Sequence, residues 1–372
     1  MPAEVLSRDA LNRALLDRQL LLRRAPLPEG EARAGRVIGT VEHLAGLQAQ
    51  APFPPYYGLW SRLEGFRPED LAGLLLDRSV VRIALMRGTI HLVSAPDCLL
   101  LRPLVQPVLD RAVTVLGRQL EGVDRAALAA AGRDLLEQRP LTFSELGAQL
   151  AQRWPGCPVN ALAQTVRAAV PLVQVPPRAV WGRAGQAAHT TAESWLGRPL
   201  ETGATLDQLV TRYLAAFGPA TVRDIQAWSG LTRLGEVVNR LRPGLRAFRD
   251  EQGAELFDLP DAPRPAPDTP APVRLVAEFD NLILSHADRT RVISEPNRKR
   301  LYSKNGIFPG TVFVNGFAAG IWGLDRSRTA AVLTIEPFGP LGRRDRDAVA
   351  GEGERLLGFA APDVPGHDIR FA

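Results

Sequence analysis

Three stretches of this chain run through the same succession of patterns: an amphipathic helix, shorter helices, then two strands. In the first, residues 11–22 and 37–47 carry apolar residues at helical spacing, with Val37, Val41, Leu44 and Leu47 on one face. Pro68-Glu69-Asp70 opens a further helix reaching about Arg78, with proline in its first turn and acids at its positive end. Residues 80–85 and 89–93 read as strands joined through Met86-Arg87-Gly88. The second stretch offers helices over 126–138, from Pro140 to Leu146, and over 160–170, then strands over 172–175 and 187–190. The third offers helices over 206–217, 222–228 and 235–241, then strands over 245–248 and 255–259. Pro140-Leu-Thr-Phe-Ser-Glu-Leu and Pro219-Ala-Thr-Val-Arg-Asp-Ile occupy the same place in their repeats. Helices followed by a hairpin are the order of a winged-helix module.

The fold expected is therefore α+β: three tandem winged-helix modules at 6–120, 124–195 and 203–260, then a barrel-like β-rich domain. A Pro-rich linker, 260–272, separates the two parts. The closing domain, 273–372, has strands over 273–278, 311–317, 320–324 and 330–335 and a helix over 345–358.

Composition narrows the function classes. With 372 residues, 45% hydrophobic and 23% charged, the chain has the balance of a globular protein of several domains. No apolar run is long enough for a membrane span, and the N-terminus has no apolar segment of a secretory signal. Two cysteines, Cys98 and Cys157, exclude a disulfide framework and a Cys-based zinc site and fit a reducing cytoplasm. The five histidines lack ligand spacing, so no metal is expected, and no phosphate-binding or dinucleotide loop calls for a cofactor. The net charge of +5 permits a nucleic-acid partner without identifying one. Lys299 and Lys304 are the only lysines, so the cations are overwhelmingly arginine, which forks two phosphate oxygens at once.

One stretch carries candidate chemistry. Gln48 and Gln50 are expected to close the second helix, before the Pro-rich aromatic segment 52–60. Two amides so spaced can converge on one small ligand such as water; equally, they can be solvated or cap a helix end.

The run Gly46-Leu-Gln-Ala-Gln50, the run Pro54-Pro-Tyr-Tyr-Gly-Leu-Trp-Ser-Arg-Leu63, the run Met86-Arg-Gly-Thr-Ile-His-Leu-Val93 and the phrase Glu278-Phe-Asp-Asn-Leu-Ile-Leu-Ser-His-Ala-Asp-Arg-Thr-Arg291 resemble, in order, the tandem winged-helix DNA glycosylase superfamily. Bacterial enzymes of that group unhook alkylated purines and interstrand crosslinks. The resemblance implies a catalytic motif of glutamine, an apolar residue, then glutamine or aspartate. Gln48-Ala49-Gln50 matches the Gln/Gln form, which makes Gln48 and Gln50 the catalytic candidates. It implies action on duplex DNA containing alkylated purines; with no lysine near the motif for Schiff-base chemistry a monofunctional glycosylase is expected, acting as a monomer without cofactor or membrane. The same modules would also suit a non-catalytic DNA-binding regulator, which has no need of both glutamines.

Two further groups are candidates for DNA contact or for lining the site. Arg87, Thr89 and His91 alternate along a strand or hairpin and so share a face. His286, Arg289 and Arg291, then Arg298-Lys299-Arg300 and Lys304, form the densest positive region and are expected near a hairpin that could meet the phosphate backbone. Tyr56, Tyr57 and Trp60 are expected to pack in the core rather than stack on a base.

Overall fold

The computed structural model describes residues 4–301 and 308–372, a mixed α+β architecture. Local signals set most helix starts. Thr142 with Glu145, Thr205 with Gln208, and Thr221 with Asp224 each form a capping box, in which a threonine hydroxyl and a side chain three residues on satisfy each other's backbone N–H. The two parallel phrases of the repeat are thus the same device used twice. Each opens a helix, Phe143–Arg153 and Val222–Ser229.

The three units are not separate beads. Strands of the first two join one antiparallel six-stranded sheet, in the order Leu47–Gln48, Ile90–Ser94, Val80–Ala84, Leu172–Gln174, Ala188–Thr191, Leu141–Thr142. The seam is the pairing of Arg82 with Gln174 and Ile83 with Val173. Strand Val80–Ala84 is buried on both faces, which is why it reads as a near-continuous apolar run. Val81 and Ile83 enter a core shared with the third unit, while Val80 and Ala84 enter one shared with the C-terminal domain. The third unit's hairpin, Arg246–Asp250 and Glu255–Asp258, takes in the N-terminal strand Val5–Leu6 as a parallel neighbour. Helix Arg8–Arg18 follows that strand onto the third unit, where Arg18 forks the buried Asp258 at 2.7 and 2.8 Å. The Pro-rich segment is strapped to the same helix: Arg18 donates to the Pro263 carbonyl and Arg13 to that of Thr269.

The C-terminal domain departs from the barrel expected. Its five strands, Arg274–Val276, Gly310–Val314, Phe317–Arg326, Ala330–Pro337 and Gly366–Phe371, form an open sheet in that order. The expected break between 317 and 320 is absent. The turn falls at Asn315-Gly316, both left-handed, as a tight hairpin requires. The last strand, not anticipated, runs parallel to Ala330–Pro337. Helix Arg343–Ala360 makes that return possible, because parallel neighbours need a crossover. Among the described residues no helix is long and apolar enough to cross a membrane.

Aromatic rings weld this domain to the first two units. Tyr57 meets Trp181, Trp322 and Phe359, and Trp60 stacks on Phe359. Tyr56 is fully buried, with its hydroxyl donating to the Ala179 carbonyl. These rings are core, as expected. Within the weld lies a buried ion pair: Arg62 forks Asp280 with two hydrogen bonds of 2.8 Å, each side chain at most 2% exposed. Removing one partner strands the other charge in the interior. Arg62→Met is therefore expected to lower the unfolding free energy by about 3–5 kcal/mol, read from urea melts. Arg62→Met together with Asp280→Leu should cost less than the single change.

Candidate active site

The two glutamines do not close a helix as expected: Gln48 ends a two-residue strand, Leu47–Gln48, and Gln50 lies in the bend that follows. Helix Ala32–His43 stops in a double left-handed turn, Ala45 at φ 53° and Gly46 at φ 87°. There Gly46 N–H donates to the Val41 carbonyl and Ala45 N–H to that of Glu42, the closing pattern of a Schellman motif. A side chain on Gly46 would come within 2.8 Å of Val93. The chain then pairs with the 80–94 hairpin, Leu47 opposite Leu92 and Gln48 opposite His91. Gln50 follows in the bend beyond the strand, its Oε1 accepting from the Ile90 N–H at 3.3 Å. Gln48 is 8% exposed and Gln50 lies open to solvent. From behind, the buried Arg82 donates to the carbonyls of Ala49 at 2.6 Å and Ala51 at 3.3 Å, on either side of Gln50.

Around Gln48 a closed ring of hydrogen bonds joins distant parts of the chain. Arg87 donates to Gln48 Oε1 at 2.7 Å, to the Trp228 carbonyl at 2.5 Å and to Asn281 Oδ1 at 3.3 Å. Asn281 in turn donates to the Gly46 carbonyl. Asn281 is adjacent to Asp280, so the Arg62 ion pair holds it in place. Burial, and then the charge of Arg289, pull the Arg87 guanidinium down to about 10, still protonated at neutral pH. Arg87 does not share the regular alternation of Thr89 and His91. It sits in the turn between the strands with a left-handed backbone, φ 57°. Thr89 closes that turn, its hydroxyl donating to the Met86 carbonyl. His91 is fully buried. Its Nδ1 faces the Thr89 carbonyl, so Nδ1 carries the proton and Nε2 keeps a lone pair with no described partner. Burial, then the neighbouring Arg87, push its pKa to about 3, so the ring is neutral.

The later basic residues separate. His286 and Arg291 are core groups, not the surface cations expected. His286 faces the Phe217 carbonyl and the Ser285 hydroxyl. Arg291 donates to the Pro219 carbonyl and stands 3.9 Å from Asp224. Burial holds the His286 pKa well below the ordinary histidine range. Arg289 is half-buried and near enough to Arg87 to affect its protonation. Arg298, Lys299 and Arg300 lie on helix Glu295–Leu301 rather than on a hairpin. Arg298 donates twice to one Glu295 oxygen, Oε2, Arg300 donates to the Phe338 carbonyl across that ring, and Lys299 is exposed. Lys304 lies outside the described residues. Among the described residues no group of three His, Cys, Asp or Glu could hold a metal ion. A cavity of about 830 Å³ opens elsewhere, between Ser7, Thr221 and Glu251, and neither glutamine lines it.

Asn281, Arg82 and the Trp228 carbonyl were not singled out in the sequence. Arg82 had a signal, a lone charge inside an apolar strand. Asn281 lay within the 278–291 phrase without being distinguished there.

Residues 41–359 match the family described as DNA glycosylase AlkZ-like. Among solved structures the chain is similar to the Streptomyces sahachiroi DNA glycosylase AlkZ, at 20% identity and a TM-score of 0.75, over 99% of this chain and 100% of that one. No curated protein matches the sequence.

The buried neutral histidines set an acid limit on stability. His91 is held to about 3 and His189, buried and stacked on Phe143, to about 4, both chiefly by burial, from an ordinary 6.5. Below about pH 6.5 the unfolded chain therefore takes up protons that the folded chain refuses, and stability falls as pH falls. Urea unfolding between pH 7 and 5, above the usual carboxylate range, should show a loss approaching about 1.4 kcal/mol per pH unit for each such histidine. A flat profile would contradict the neutral assignment.

Proposed function

The chain belongs to the family of AlkZ-like DNA glycosylases, and from that premise we propose which bond it breaks. Its substrate is the N-glycosidic bond of a purine made cationic by alkylation at N7 or N3, in duplex DNA, bulky adducts and interstrand crosslinks included. The observation that carries this reading is the chemistry around the two amides. Gln48 and Asn281 accept from the Arg87 guanidinium, a neutral His91 stands across the strand from Gln48, Gln50 follows two residues on, and the nearby Asp280 carboxylate is paired with Arg62. Among the described residues, the hydrogen-bonded groups around Gln48 include neither a general acid to protonate a leaving base nor an anion to face a developing sugar cation. The driving force has to come with the substrate. A cationic purine leaves as a neutral base without being protonated.

The C1′–N bond breaks with its electron pair passing to the purine. Water adds its oxygen to C1′, and its proton passes to solvent. The enzyme's share is to hold base and water in line and to supply fixed dipoles where charge changes. Among the described residues no lysine amine takes part in the hydrogen-bonded ring around Gln48, and hydrolysis is taken to end at the abasic sugar without strand cleavage.

The three helix–hairpin units serve as winged helices lying along the duplex. Arg289, Lys299 and Arg300 are the candidates for phosphate contact, while His286 and Arg291 brace the scaffold. The protein acts as a monomer.

The test is release of 7-methylguanine from a duplex carrying it at one position, under single-turnover conditions. Gln48→Ala and Gln50→Ala should each slow release by about 10²–10³-fold, the effect of losing a preorganised hydrogen-bonding group, with duplex affinity retained. The strand should stay intact until alkali is added. Full activity in the double variant would sink the mechanism, and tight DNA binding with no base release from any alkylated duplex would favour a non-catalytic binder.

A further inference from the structure

Arg87 ties together three regions far apart in sequence: Gln48 in the first unit, the Trp228 carbonyl in the third, and Asn281 near the C-terminal sheet. The fit is close enough that a side chain on Gly230 would come within 3.1 Å of Arg87 Cα. The strained backbone of Arg87 is held by that packing and by Gly88, which is itself left-handed at φ 72°. A bracing role would account for this much.

The direction of the Gln48 bond says more. A guanidinium has donors and no acceptor, so the Gln48 atom facing Arg87 must be the carbonyl oxygen. Its Nε2 is then turned away from Arg87, and no described residue accepts a hydrogen bond from it. Gln50 follows the same rule, because the Ile90 N–H donates to its Oε1 at 3.3 Å and its amide nitrogen also has no described acceptor. Both oxygens of the pair are engaged by the scaffold and both nitrogens remain for a ligand.

We propose that Arg87 is a positioning residue that fixes the orientation of Gln48, so that Gln48 meets the substrate through its N–H groups and donates to a lone pair of the departing purine. This rests on the glycosylase reading above and deepens it. When the C1′–N9 bond breaks, its electron pair goes onto the purine and is shared between N9 and N3. A fixed N–H at that edge gains strength as the pair arrives, which is the condition for lowering a barrier rather than only binding. The Gln48 carbonyl, already engaged in a charge-assisted bond, is a poorer acceptor for the attacking water. Arg87 acts through Gln48 and does not itself touch the reacting atoms.

Gln48→Glu separates the two uses of this side chain. Glutamate keeps the length and the Arg87 partner but has no N–H to offer. With the 7-methylguanine duplex, Gln48→Glu should lose as much single-turnover rate as Gln48→Ala, about 10²-fold or more, while duplex Kd stays within a few-fold. Arg87→Met should slow the chemical step in the same way, with Arg87→Lys recovering part of the loss. A brace with no effect on Gln48 would not produce that split between rate and affinity. Wild-type rate in Gln48→Glu would overturn the proposal, because it would place the work on the oxygen. If Arg87→Met fails to fold, the Gln48→Glu comparison and Arg87→Lys still decide. A second measurement does not depend on activity. The urea-midpoint losses of Arg87→Met and Gln48→Met should combine to less than their sum in the double variant, because the two share one hydrogen bond. Simple addition would remove the contact and the proposal with it. Absence of base release by the wild-type protein, with the coupling intact, would instead count against the glycosylase reading.

Discussion

The rest of the structure depends on Arg62 and Asp280. Their forked contact is buried between the first unit and the chain leading into the C-terminal sheet, where neither charge could stand alone. It is also the place where Gln19 joins, accepting from Arg62 and donating to the Ala216 carbonyl of the third unit. The pair is a point of registry more than a source of net stability, since desolvating two ions offsets most of their attraction. Its effect on the site is direct. Asn281 follows Asp280 in the chain, and Asn281 closes the ring that runs through Gly46, Gln48 and Arg87.

The shared sheet gives that ring a rigid floor. Because strand Val80–Ala84 is buried on both faces, the hairpin that pairs with the glutamines has no freedom to slip. Arg82 reaches through it to hold the backbone on both sides of Gln50. The motif is thus fixed from below through its main chain and from the side through Gln48. Gln50 is left exposed at an open edge. The sheet face bearing Gln48 is the one turned toward the third unit, so the site is completed by residues more than 130 positions later in the chain.

The electrostatics are spare. His91, the cross-strand neighbour of Gln48, is neutral, and the charges retained beside the motif are guanidinium groups, Arg87 on the Gln48 oxygen and Arg82 on the carbonyls flanking Gln50. In the proposed reaction, a cation beside a sugar that gains positive charge is not an obvious aid to catalysis. On the proposed reading, the use of Arg87 as a fixed donor to the Gln48 oxygen, with the Gln48 nitrogen turned away, accounts for its presence without asking it to stabilise a cation.

Local patterns carried much of the architecture. The capping boxes at Thr142, Thr205 and Thr221 start their helices where the sequence says, and the 80–94 hairpin stands where two apolar runs meet a glycine turn. The Gln-Ala-Gln run could be singled out by residue type. Its secondary structure could not, because the helical spacing of Val37, Val41, Leu44 and Leu47 carries past the point where the helix stops. What stops it is the left-handed pair Ala45-Gly46 and the hairpin waiting to pair with Leu47 and Gln48. The fate of the charged residues was less legible still. Arg291 and Lys299 are cations of the same phrase in the sequence, yet one is buried against the Pro219 carbonyl and the other is exposed. Short-range periodicity by itself determined most helices and the 80–94 hairpin, since those preferences act over a few residues, but not the strand at Leu47–Gln48 or the last strand. Only the tertiary structure decided which charges are buried, which way Gln48 turns and where the site closes, because each depends on a partner dozens to hundreds of residues away.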